Sequence, residues 1–399
     1  MIYSIIASCF LIVVIIVLAV DLVPIARTWT GRIHIGRYSS TEQWVSSITR
    51  IGTKWLKRTP TIKVTDNTRF ILLDMLKGNY ARSAIQHWQE AALLLGMTEQ
   101  CRHTGEDADA RRQVDSFLAS KFNDKGEWRE TPQHVDGAIL AYAAMTWLSV
   151  DHDKYRPAWD ATWHMIQQHL GEDGTVMYRK AMKDYRYVDT IGFICPFLVV
   201  YGLRYNRPEC IQLAVKQIQE YEKRGMLEEA FIPCHAYRIT NHAPLGLYGW
   251  GRGLGWFAIG LIDAWRELPT GDEAKKVLER TVIRFARAAV SCQQERGQWN
   301  WTVTRPESRA DSSATATLGW FLINAAEIEE VSNLASAAAE KAIHYLMTVT
   351  RRDGTIDFSQ GDTKDIGVYS MLFDILPFAQ GFSVRTAHVY LAFLNRSRR

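Results

Sequence analysis

The chain has 399 residues, with 47 Lys+Arg against 43 Asp+Glu and a formal net charge of +4 at pH 7. So mild a balance, with no basic stripe interleaved with aromatics, excludes a dedicated nucleic-acid binder. Hydrophobic residues make up 47%, ordinary for a globular protein, and the length supports one large core or two medium ones.

Residues 1–20, MIYSIIASCFLIVVIIVLAV, carry no charged side chain. About 20 apolar residues at 1.5 Å each cover a hydrocarbon core of ~30 Å. A cleaved signal peptide would show a basic n-region and a small-residue cleavage site. No Lys or Arg precedes this run, and Asp21-Leu22-Val23-Pro24 follows it. Residues 1–22 therefore read as an uncleaved single-pass anchor in the lipid bilayer. Arg27, Arg32 and Arg37 follow the span. The positive-inside rule then favours a cytoplasmic globular part, with the periplasmic or extracellular side left open. The six cysteines show no CxxC and no regular spacing, which indicates neither a disulfide framework nor a zinc site.

Residues 23–60 read as a juxtamembrane connector with a first helix, TEQWVSSITRIGTKWL. The third unit, residues 61–395, is a run of helical segments with apolar residues at i, i+3, i+4 and i+7. FILLDMLKGNYARSAIQHWQEAALLLG, AILAYAAMTWLSV and YRPAWDATWHMIQQHL come first, and EAKKVLERTVIRFARAAVSCQ and SNLASAAAEKAIHYLMTVT follow later. Period-2 strands are nearly absent. Between helices a glycine recurs, at Gly126, Gly174, Gly225, Gly297 and Gly354, where a helix C-cap belongs. A period near 50 residues fits one helical hairpin per repeat. An open solenoid satisfies that period; a closed ring of six hairpins, framing a central cleft, satisfies it and also explains the aromatic residues at the loops. The expected fold is an all-α (α/α)6 toroid behind one transmembrane helix.

Four stretches carry candidate chemistry. In RYVDTIGFICPFL, Asp189 opens a very apolar helix. N-capping explains an Asp there. A catalytic carboxyl explains it too, because apolar neighbours raise its pKa while the helix dipole lowers it. In TPQHVDGAIL, His134 and Asp136 precede another helix, either as caps or as a second carboxyl site. Asp136 lies about one repeat before Asp189, so equivalent positions in a ring would bring both to one end. Paired carboxyls are the usual equipment of glycosidic chemistry.

In CHAYRITNHAPLGLYGWGRGLGW, His235, Trp250, Arg252 and Trp256 cluster around four glycines. The glycine spacing fits neither a dinucleotide fingerprint nor a phosphate loop. Glycines remove bulk around the arginine between them, so that it can present a fork of donors to a carboxylate, and flanking indoles offer a stacking wall. That is the profile of an anionic sugar site. Finally, DSSATATLGWF opens with capping residues, and GDTKDIGVYSMLFDILPFAQGF is a polar loop leading into a Pro-started helix. Tyr369, Ser370 and Gln380 are its candidates for the cleft wall.

On these residues the chain resembles the unsaturated glucuronyl and rhamnogalacturonyl hydrolases, glycoside hydrolase families 88 and 105. WGRGLGW is similar to the families' W-x-R-x-x-G-W, and YVDTIGFICPFL, HVDGA, CHAYR, DSSATA and PFAQGF resemble further segments. The resemblance implies an (α/α)6 barrel and protonation of a sugar C4=C5 double bond followed by hydration at C5. It implies Asp189 as acid and base, Asp136 as the second aspartate, Arg252 and His235 at the substrate and Trp250 and Trp256 as the sugar wall. It implies no metal and no cofactor. The N-terminal anchor departs from typical members. GDTKDIGVYSMLFDILPFAQG also resembles the VpsJ-type proteins of exopolysaccharide biosynthesis loci. Two alternatives to hydrolysis stay open: a non-catalytic or editing factor binding an anionic polysaccharide in the same cleft, and an epimerase on a similar barrel.

Overall fold

Helices of two kinds alternate along this chain, and the difference is written in their side chains. The computed structural model describes residues 2–62, 67, 69–78, 86–106 and 108–397. After α1 (Ile2–Gly31), α2 (Thr41–Lys57) and α3 (Ile71–Leu76) come α4 (His87–Thr104), α5 (Ala108–Lys121), α6 (Gly137–Met145) and α7 (Arg156–Gln167). Then follow α8 (Val188–Arg204), α9 (Pro208–Gly225), α10 (Gly251–Glu267), α11 (Glu273–Ser291), α12 (Ser312–Ala325), α13 (Ser332–Thr348) and α14 (Pro377–Ser397). Helices such as α12, SSATATLGWFLINA, are buried on every side because small and apolar residues surround them. Helices such as α11, EAKKVLERTVIRFARAAVS, bury one stripe.

The first kind forms an inner ring. Each of α4, α6, α8, α10 and α12 packs on the next, and α14 closes back onto α4. The second kind lies outside, with α5, α7, α9, α11 and α13 on the ring. The sixth outer position belongs to α2, which packs on α4, α5 and α14. The helix assigned by sequence to the connector thus completes the six-hairpin toroid. The segment 70–96, read from sequence as one helical run, contains two helices, α3 and α4, and its residues 79–85 lie outside the described residues.

The recurring glycines sit beyond the helices rather than capping them. Gly126 and Gly354 have φ of +73° and +100°, a conformation that favours glycine. Each N–H closes a tight turn, onto Asn123 and Arg351 respectively. A Cβ on Gly354 would stand 2.3 Å from the Ser47 carbonyl oxygen of α2. Gly225 differs: it is the last residue of α9.

Among the described residues, seven strands of two or three residues decorate one end: β1 (Tyr185–Tyr187), β2 (Met226–Leu227), β3 (Ile232–Pro233), β4 (Ala236–Arg238), β5 (Pro244–Leu245), β6 (Ser359–Gln360) and β7 (Phe373–Asp374). They pair as β1-β4-β5, β2-β3 and β6-β7, all antiparallel.

The apolar N-terminal run is helical, exposed, and long enough to cross a membrane. A cleaved signal sequence passes the same test. The end of α1 docks on the toroid. Asp21 accepts the Phe70 and Ile71 N–H groups at 2.6 and 2.8 Å, and Arg32 pairs with the buried Asp357.

Candidate active site

The small sheet β1-β4-β5 places the first two functional side chains. Tyr187 pairs with Ala236, and the Val188 N–H donates to the His235 carbonyl at 3.0 Å. Asp189, two residues past β1, therefore meets His235, one residue before β4. Asp189 Oδ2 lies 3.7 Å from His235 Nε2. Asp189 stands in the first turn of α8, but Tyr187 holds the N-cap position and makes no side-chain cap. Asp189 Oδ2 has no hydrogen-bond partner among the described residues.

Burial pushes the Asp189 carboxyl up to about 7. Asp362 adds to the rise, while Asp189's own backbone N–H and Arg252 oppose it. Burial, then Arg252, pushes His235 down to about 4. At neutral pH the histidine is thus uncharged beside a carboxyl that exchanges its proton readily. That is the state a group needs to act first as general acid and then as base.

These two face a cavity of about 290 Å³. Trp250, Arg252 and Trp256 line it, as the sequence led one to expect. The Trp250 ring lies 4.6 Å from His235, and Trp256 packs edge-on against Trp88 at 5.6 Å. The glycines of YGWGRGLGW have a different purpose from the one expected. They do not clear space around Arg252. A Cβ on Gly251 would stand 2.5 Å from the Asn300 carbonyl oxygen, and one on Gly255 would stand 2.3 Å from Thr317 Oγ1. The glycines let α10 approach α12 and its preceding loop. The Arg252 fork is also partly engaged. It donates to the carbonyls of Gln360 and Gly361 at 2.6 and 2.7 Å and to Thr363 Oγ1 at 3.1 Å.

Gln380 is elsewhere. It does not line the cavity; it accepts from the Ile356 N–H and donates to the carbonyls of Ile48 and Gly354. Its amide ties α2, α14 and the Gly354 turn together. Tyr369 and Ser370 also stand outside the lining. The Tyr369 ring backs His235 at 5.5 Å, and its hydroxyl accepts from the Leu247 N–H.

His134 and Asp136 do not line the cavity either. His134 is exposed, and burial and then Arg179 lower its pKa. Asp136 holds the N-cap position of α6 without a side-chain cap. Burial pushes it up to about 6; Asp362 adds to this and Arg179 opposes it. The buried Tyr178 hydroxyl, in the cavity wall, feels Asp189, Asp136 and Asp362 together. Asp136 belongs to the electrostatic field of the site rather than to its surface.

Sequence reasoning missed the rest of the wall. Gln86, Arg179, Asp362 and Asp365 line the cavity. Gln86 Nε2 donates to Asp362 Oδ2 at 2.8 Å, and burial raises the Asp362 carboxyl against the pull of Arg252. The available signal was the density of charge in GDTKD, read only as a polar loop. Among the described residues no group of three His, Cys, Asp or Glu stands together to hold a metal.

Comparison with known proteins agrees with this architecture. The profile of Glycosyl Hydrolase Family 88 matches residues 51–370. A solved structure from Salmonella enterica, described as a possible member of the GH105 family, superposes with a TM-score of 0.75 at 19% identity, covering 90% of this chain and 96% of that one. The unsaturated glucuronyl hydrolase of Bacillus sp. GL1 gives 0.64 at 18%, covering 86% and 94%. Among curated proteins, the 24.9 kDa protein in picA locus of Rhizobium radiobacter is 26% identical over 165 residues, 38% of this chain and 70% of that protein. At these identities the superpositions carry the fold, and the profile match carries membership. The chain belongs to glycosyl hydrolase family 88.

Proposed function

We propose that the protein releases an unsaturated uronyl residue from the end of an anionic oligo- or polysaccharide. Asp189 protonates C4 of the C4=C5 double bond and then draws a proton from the water that adds at C5. The resulting hemiketal opens and expels the rest of the chain. The observation that carries this reading is the buried Asp189 carboxyl, raised to about 7 and facing the cavity with His235 neutral beside it. Trp250 and Trp256 supply flat apolar faces for a sugar ring. Arg179, Arg252 and Lys364 in the wall supply counter-charge for a carboxylate. Similar folds support the substrate class: one is an unsaturated glucuronyl hydrolase specific for heparin, and another is responsible for the degradation of glycosaminoglycan. The test is loss of the enol-ether absorbance of Δ4,5-unsaturated uronyl oligosaccharides with purified protein. Activity surviving in Asp189→Asn would sink the mechanism.

A second reading is supported by the docking of α1. If the protein retains this helix as an anchor, the cleft works beside a bilayer. A VpsJ-type role then follows, binding or editing an exopolysaccharide during its assembly. Contacts of Asp21 with α3 and of Arg32 with the toroid support retention, because cleavage beyond the apolar run would strip Asp21 from α3. Polymer binding without turnover in the same assay would favour this reading, and an intact N-terminus in membrane-extracted protein would support the anchor.

A further inference from the structure

The residues that follow the apolar run reach farther into the site than an anchor requires. Arg32, one residue past α1, grips the carboxylate of Asp357 with two donors, Nε at 2.8 Å and Nη2 at 2.9 Å. Nη2 also donates to the Phe373 carbonyl at 2.9 Å. The guanidinium lies over the Phe358 ring, 4.3 Å from its centroid. One side chain thus holds residues next to β6 and within β7. One turn earlier, Thr28 Oγ1 donates to Asp374 of β7 at 3.3 Å.

The hairpin β6-β7 is the element that turns into the cavity. Its loop supplies Asp362, Thr363, Lys364 and Asp365 to the wall. Its first residues clasp the motif arginine: Gln360 and Gly361 accept from Arg252, and Gln360 Oε1 accepts from Trp250 Nε1 at 2.9 Å. Two-residue strands have little stability of their own. Phe358, at the entry to β6, has φ of +59°, a conformation that an aromatic residue adopts only when its surroundings impose it. Asp357 is fully buried. Burial alone would raise its carboxyl, and the hydrogen bonds from Arg32 and Arg351 hold it below the usual range instead.

We propose that Arg32 is a positioning residue for the sugar cavity: it straps the end of α1 to β7 and to the residues that lead into β6, and so fixes the loop that clasps Arg252 and presents Asp362 and Asp365. The effect on turnover rests on the hydrolase reading; the strap itself does not. Arg351 also donates to Asp357, at 2.8 Å, so the buried carboxylate keeps a charged partner in an Arg32 variant and the variant is expected to fold.

The experiment uses the full chain in detergent micelles, as wild type, Arg32→Ala and Arg32→Lys. Amide exchange of the peptide covering 359–374 is read against α8 and α10, with KM and kcat on a Δ4,5-unsaturated uronyl disaccharide. In Arg32→Ala, exchange at 359–374 should quicken about tenfold or more, the range set by losing charged hydrogen bonds, with the reference helices unmoved. KM should rise about tenfold with kcat within about threefold, because the binding wall loosens while Asp189 stays in place. Arg32→Lys should recover part of both through a single-donor contact. Unchanged exchange overturns the proposal, and so does faster exchange with unchanged KM. If the wild type is inactive on this disaccharide, the hydrolase reading fails, and the strap is judged on the exchange of 359–374 alone.

Discussion

Asp189 Oδ2 stands 3.7 Å from His235 Nε2, and neither that oxygen nor His235 Nδ1 has a hydrogen-bond partner among the described residues. Buried polar atoms are normally paired, and both of these atoms belong to residues that line the cavity. Asp189→Asn keeps the shape and removes the transferable proton. It should lower kcat about 10²–10⁴-fold, the usual contribution of a general acid–base group, in the enol-ether assay.

The same substitution should stabilise the fold at alkaline pH. The native Asp189 carboxyl titrates near 7, the unfolded one near 4. Between those values the native state holds a proton that the unfolded state has lost, so wild-type stability falls as pH rises from about 4 to about 7. Asparagine cannot ionise. Its advantage over wild type should be small near pH 4 and reach a few kcal/mol, on the order of 1–4, at pH 8. Urea unfolding at both pH values checks the sign; equal stability increments would refute the burial of this charge.

Asp362 is a second control on the proton. Its charge helps to raise Asp189, so Asp362→Asn should shift the alkaline limb of kcat/KM to lower pH. A limb that stays in place would separate the two carboxyls electrically. Gln86, which donates to Asp362, keeps a carbonyl acceptor in the variant.

Gln380 offers the opposite behaviour. Gln380→Ala strands the Ile356 N–H and removes the donor to the carbonyls of Gly354 and Ile48. The cost should be about 1–3 kcal/mol or more in urea unfolding. The folded variant should keep wild-type KM, since the residue does not line the cavity. A raised KM with unchanged stability would return it to the site.

Inside the ring, Arg385 and Asp263 form a fully buried ion pair at 2.6 Å, with Trp320 Nε1 donating to the other carboxylate oxygen at 2.9 Å. Asp263→Ala strands the guanidinium against Tyr142 and Trp320. Breaking a buried pair from one side should destabilise by about 3–5 kcal/mol, seen as a lower melting temperature with no selective effect on sugar binding.

The toroid was readable because its helices are long and strongly periodic. The site was readable only where one local motif carried it. Asp189, His235, Trp250, Arg252 and Trp256 fall in two compact stretches, and the structure brings them to one cavity. The hairpin residues were unreadable for a physical reason: β6 and β7 have two residues each, too few to express a period of two. Gln380 misled because a polar residue in the first turn of a Pro-started helix looks available to a loop. Its three bonds run to segments more than 20 residues away, and no local pattern reports that. The glycines of YGWGRGLGW were read as space for Arg252, whereas Gly251 and Gly255 are space for α12 and the loop before it. Spacing in one helix does not reveal which neighbour comes close.

The docking of α1 has a consequence for reach. From Asp21 to Arg32 the chain is helical almost throughout, roughly 16 Å at 1.5 Å per residue; Asp21 is bonded to the start of α3 and Arg32 to the toroid. If residues 2–20 lie in a bilayer, the catalytic cleft has no slack. It is held at a set altitude and tilt over the lipid and sweeps a thin layer parallel to the surface. Encounter with a saccharide then depends on what lies in that layer, and a chain end farther out must bend inward to be processed.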